Sequence, residues 1–166
     1  VLEAIKPERF YLYLTTNGYF LDKEMASFTE LGSPSSHLTK IVPLIQQRLK
    51  TLTDASDLAG FFFQDERVYE IEELVQKNMD KRLTMQALQR SLDVIKSLEE
   101  FESSVLEEKL RTLATELSLS ARQLLGVLRV AVTGKQSAPP LFETMEILGR
   151  DRCSHFISDA IDKFSG

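Results

Sequence analysis

The stretch SARQLLGVLRVAVTGKQSAPPLFETMEILG, residues 120–149, decides the fold, because it spells a helix, a turn and a second helix without the alternation of a strand. Ser120 and Gln123 stand at capping-box spacing, and Leu119 and Leu124 at the positions of a hydrophobic staple, so a helix opens at Ser120. Leu124, Val127, Leu128, Ala131 and Val132 then recur at helical spacing and form its buried stripe. Gly134 falls where a left-handed residue ends such a helix. Proline suits a first helical turn and cannot continue a helix. The turn from Gly134 to Pro139 therefore leads into a new helix near Pro140 or Leu141.

The same period extends outward. Leu83, Leu88, Leu92, Ile95 and Leu98 mark one amphipathic segment, and Leu106, Leu110, Leu113 and Leu117 mark another, opened by a capping box at Ser104 and Glu107. After Gly149, residues Phe156, Ile157, Ala160, Ile161 and Phe164 predict a last helix. Towards the amino terminus, Leu38, Ile41, Val42, Ile45, Leu49 and Leu52 predict a helix that Pro43 kinks or starts late. A short helix over Asp57 to Phe63, with Asp54 as N-cap, is followed by a polar exit from Gln64 to Val68. The expected class is all-α, with two packed helical subdomains, residues 1–66 and 67–166.

Composition narrows the function classes. The 166 residues are 43 % hydrophobic, enough for a core, and the formal charge of −5 argues against a broad grip on phosphates. The single cysteine, Cys153, forms no intramolecular disulfide, and with only His37 and His155 no zinc spacing exists. Cys153 and His155, two apart on a helix, do not face each other as a thiolate–imidazole pair. The runs Glu70, Glu72, Glu73 and Glu99, Glu100, Glu102 read as solvated helix faces. No apolar signal core precedes Phe10, and the run Phe61 to Phe63 is too short for a membrane span and reads as core. A soluble, cytoplasmic monomer without a membrane partner is expected, with no catalytic residue and no metal ligand of its own.

The turn before Leu141 is where chemistry can reside. The N–H groups of a helix start attract anionic groups or base acceptors, and Leu141 and Phe142 beside them offer apolar surface on which a base can stack. On composition alone the alternative is that Pro139 and Pro140 only start a helix and that Leu141 and Phe142 are core. Lys109, Arg111, Arg122, Lys135, Arg150 and Arg152 are candidate phosphate contacts, Lys135 and Arg122 foremost, or else solubilising charges.

The segment from Leu128 to Gly149 resembles the anticodon-binding end of bacterial-type, class I glutamyl-tRNA synthetases. The resemblance implies that Arg129, Ala138, Pro139, Leu141 and Phe142 approach the first two anticodon bases. Family members often carry threonine or a small residue where Ala138 stands. A second segment, QQRLKTLTDASDLAGFFF, residues 46–63, is similar to the arginine-containing helix and aromatic segment of the same enzymes. There the resemblance places Arg48 on the third anticodon base, which separates glutamate from glutamine tRNAs. Arginine suits that task because its planar fork of donors meets two base acceptors at once.

The resemblance is strongest from Ser120 to Ile161, good from Ile41 to Val75 and poor from Val1 to Ser36. Neither nucleotide-binding signature of class I synthetases, HIGH or KMSKS, occurs in the sequence. The implied function is recognition of the tRNA(Glu) anticodon loop for a ligation carried out by a catalytic domain absent from these residues. The fragment alone is expected to be inactive and to need no cofactor, with ATP and Mg required by the parent enzyme. Its implied partners are the anticodon loop and that catalytic domain. A helical protein-interaction module that docks a partner helix and never touches RNA is the competing expectation.

Overall fold

The computed structural model describes residues 35–46, 48–51 and 53–165. Residues 1–34, Gln47, Leu52 and Gly166 lie outside the described residues, and with the first of these much of the expected subdomain 1–66. Every regular element among the described residues is helical. The chain divides into two compact units, Val1–Asp65 and Glu66–Gly166.

In the first unit, α1 (Ser35–Gln46) packs against α2 (Thr53–Ala59), which runs into a 3-10 turn at Gly60–Phe63. Ile41, Val42 and Ile45 bury one face of α1, as their spacing predicts. Pro43 does not delay the helix, which begins at Ser35 and carries Pro43 inside it on an exposed position. The second helix starts four residues earlier than Asp57, so Asp54 sits in its first turn and is not its N-cap. Its carboxylate instead accepts the backbone N–H groups of Lys50 at 3.0 Å and Thr51 at 2.8 Å. Those two bonds, Thr51's first, hold the carboxyl below its ordinary range. Phe61, Phe62 and Phe63 are all buried, and the rings of Phe61 and Phe62 stack at 4.4 Å.

The second unit contains α3 (Ile71–Leu74), α4 (Lys81–Ser97), α5 (Ser103–Glu116), α6 (Ala121–Thr133), α7 (Leu141–Leu148) and α8 (Arg150–Ser165). Helix α6 is its hub, packing on each of the other five. Such a place demands an apolar surface nearly all round, and α6 buries Val130 and Thr133 in addition to the five residues of the expected stripe. Its capping box is present, with the Gln123 N–H donating to Ser120 Oγ at 3.2 Å and the Ser120 N–H donating to Gln123 Oε1 at 2.9 Å.

The other expected box, Ser104 with Glu107, does not form. Helix α5 begins at Ser103, so Ser104 is already inside it, and the Ser103 N–H donates to the Glu146 carboxylate of α7 at 2.7 Å. Helix α4 has a cap that the periodicity did not reveal, Asp80 Oδ1 accepting from the Leu83 N–H at 2.7 Å. The expected polar exit from Gln64 to Val68 is also corrected. Arg67 within it is only 4 % exposed, and its neighbour Val68 is 89 % exposed.

Candidate nucleic-acid interface

The end of α6 sets the shape of the turn that follows it. The Gly134 N–H donates to Val130 O at 2.8 Å, and Gly134 adopts φ +72°, the left-handed value that Cβ-bearing residues avoid. Thr133, buried, donates its hydroxyl to Arg129 O at 2.7 Å and accepts the Lys135 N–H at 3.2 Å. The Thr133 hydroxyl so ties the last turn of α6 to the Lys135 backbone where the chain turns towards Ala138 and Pro139. Helix α7 starts at Leu141 behind Pro140, as proline chemistry predicts, and no side chain caps it.

The expected site residues fall into four groups. Arg129, Lys135, Ala138, Pro139, Leu141 and Phe142 all lie on or beside this one turn. Within it Ala138, Pro139 and Leu141 are buried, Leu141 to 3 % exposure, and Phe142 is half-buried. Leu141 therefore does not stand out as a stacking surface; its side chain holds the start of α7 in the core, and Phe142 is the apolar group that a base can meet. Arg129 and Lys135 are half-buried on the same end. Arg122 is not with them. It sits at the opposite end of α6, two turns or about 10 Å before Arg129 and about 16 Å from the helix end at 1.5 Å per residue, on a polar groove lined also by Lys77, Asn78 and Gln123.

Arg48, in the first unit, lies outside α1, in the turn that follows it, and not on a helix as its sequence context suggests. Its N–H donates to Ile45 O at 2.9 Å, Leu49 buries its side chain beside it, and the Asp54 carboxylate fastens Lys50 and Thr51 just beyond. Arg48 is thus an exposed residue on a turn held by backbone hydrogen bonds.

Other phosphate candidates are engaged within the protein. Arg111 pairs with Glu107 at 2.8 Å, Lys109 with Glu108 at 3.4 Å, and Arg150 donates to Glu99 O at 3.1 Å. Arg152 lies over the Phe156 ring at 5.5 Å. Cys153 and His155 do not face each other, as expected: the buried thiol donates to Met145 O, while exposed His155 faces Asp159 at 3.4 Å.

Burial pushes the Cys153 thiol from 9.0 up to about 12. Burial, then the Asp159 carboxylate, takes the Tyr69 phenol from 10.0 up to about 12, with Arg67 pulling the other way. Between those ordinary values and 12 the folded chain keeps protons that the unfolded chain releases, so stability falls as pH rises. Urea unfolding is expected to show a plateau from about pH 6 to 8.5 and a declining midpoint from about pH 9 to 11, less steep in Cys153→Ala. A midpoint that stays flat to pH 11 would contradict this burial.

Comparison with known proteins bears on what the turn meets. A family model described as an anticodon binding domain matches residues 19–161. A glutamate–tRNA ligase of Dehalococcoides mccartyi is 42 % identical over 146 residues, covering 88 % of this chain and 30 % of that protein. One of Roseiflexus castenholzii is 44 % identical over 136 residues, 79 % of this chain and 27 % of the other. The chain thus spans under a third of the length of these curated relatives. A crystal structure of a glutamate tRNA ligase from Elizabethkingia meningosepticum, in complex with its amino acid, superposes with a TM-score of 0.74 at 19 % identity, over 95 % of this chain and 28 % of that one.

Proposed function

The chain belongs to the anticodon binding domain family, and from that membership we propose that it reads the anticodon loop of tRNA(Glu) as part of a glutamate–tRNA ligase. The observation that carries this reading is the family match across residues 19–161, which takes in both Arg48 and the turn at Lys135–Phe142. In this reading the first unit offers Arg48 to the third anticodon base. The second offers Arg129 and Phe142 to the first two, with Ala138, Pro139 and Leu141 shaping the turn from beneath and Lys135 beside it for a backbone phosphate. Splayed bases suit such a surface, because an unstacked base exposes both a face for Phe142 and edges for arginine. The net charge of −5 fits a contact limited to a few loop nucleotides.

Ligation, with its ATP and magnesium, falls in this proposal to a part of the ligase outside these residues. Among the described residues no three His, Cys, Asp or Glu side chains gather to hold a metal ion. In this proposal the chain alone carries no ligase activity, and a cytoplasmic, monomeric translation enzyme is its setting. No helix among the described residues is long and apolar enough to cross a membrane. The competing reading, a protein-interaction module without RNA, is not favoured by the family match.

Phe142→Ala tests the stacking role. A half-buried ring supplies part of a base stack, so the Kd for an RNA stem-loop bearing the glutamate anticodon is expected to rise about fivefold, near 1 kcal/mol, with helical ellipticity unchanged. An unchanged Kd in a folded variant would remove Phe142 from the interface, and a loss of helicity would assign it to the core.

A further inference from the structure

We infer that Arg67 is a positioning residue for the base-reading turn, an inference that rests on the anticodon reading above. Arg67 comes from the segment that opens the second unit, 65 positions before its main partner. Its Nε–H donates to Val132 O in the last turn of α6, and its guanidinium lies 3.6 Å over the Phe156 ring. Lys163 of α8 donates to Arg67 O at 2.8 Å and so fixes the segment from the other side.

The same segment touches the turn a second time. A Cβ placed on Gly134 would stand 3.3 Å from Val68 O, so the backbone after Arg67 packs directly under the left-handed residue that sends the chain towards Lys135. Buried to 4 % exposure, Arg67 has little surface to offer an RNA. What it supplies is a fixed donor on a helix-end carbonyl and a rigid floor beneath Gly134. A planar fork stacked on an aromatic ring does this in a way that a lysine ammonium cannot reproduce.

Arg67→Lys in the 166-residue chain therefore isolates geometry from charge. The probes are RNA stem-loops bearing the glutamate anticodon and the same loop with its first, second or third anticodon base exchanged, titrated at several salt concentrations. Discrimination at the first two bases is expected to fall at least threefold, discrimination at the third base to persist, and the log–log salt slope to stay within about 0.3 of the parent's, because no phosphate contact is lost. Unchanged discrimination at the first two bases overturns the inference. So does an equal fall at all three, which marks general loosening, or a slope shallower by about one, which marks Arg67 as a phosphate contact. If the variant is unfolded at the assay temperature, Lys163→Met, at an exposed position, is read by the same criteria. Failure of the parent chain to prefer the native loop would instead count against the anticodon reading itself.

Discussion

Replacing Arg48 by glutamine is expected to lower the preference for a glutamate over a glutamine anticodon stem-loop by about tenfold or more, with stability within about 0.5 kcal/mol of the parent. The size follows from the contact proposed. A bidentate arginine–base pair carries about 1–3 kcal/mol of discrimination, and glutamine, shorter and neutral, has neither the reach nor the charged donor fork to restore it. The small effect on stability follows from placement: Arg48 is exposed, and the turn it stands on is fastened by backbone bonds to Ile45 and the Asp54 carboxylate. Paired titrations with the two loops, alongside thermal unfolding, check both parts. An unchanged ratio of affinities would remove Arg48 from the interface.

Leu128→Ala is expected to cost about 2–5 kcal/mol, a large share of the roughly 5–15 kcal/mol that holds a domain folded. Leu128 has 0 % exposure on α6, the helix against which α3, α4, α5, α7 and α8 all pack. Relaxation around it is limited, because every neighbouring element is itself fixed on the same helix, so the cavity term adds to the lost transfer energy. Urea unfolding followed by circular dichroism measures the cost. A change below about 1 kcal/mol would mean that α6 is not the structural centre of the second unit.

Arg48 and Leu128 also mark the two kinds of information the sequence carries. The buried stripe of α6, its Ser120–Gln123 box and the left-handed Gly134 were legible because each depends on residues within a few positions of one another. Where a distant partner decides the outcome, local spacing misleads. Ser104 and Glu107 have the right separation for a cap, yet Glu146 of α7 reaches the start of α5 one residue earlier.

The candidate site shows the same division. Proline placement located the start of α7, and the resemblance singled out Arg129 and Phe142 beside the turn. The reading on composition that Leu141 is core agrees with its burial, whereas Phe142, read the same way, is half-buried, since tertiary packing chooses which residue of a helix start faces in. Arg67 was missed for a related reason: an arginine in a polar run has no periodicity, and only the Phe156 ring and the Val132 carbonyl, both remote in sequence, make its burial favourable. Thr133 left a fainter signal, a threonine just before a helix-ending glycine, able to bond back to the carbonyl of Arg129.

Titration of the 166-residue chain with a stem-loop bearing the glutamate anticodon, against the same loop with its first two anticodon bases exchanged, tests the central claim most directly. Saturable binding is predicted, about tenfold tighter for the native loop, weakening with salt along a shallow log–log line that reflects only a few phosphate contacts. Equal affinity for both loops, or no binding to either, would contradict the account.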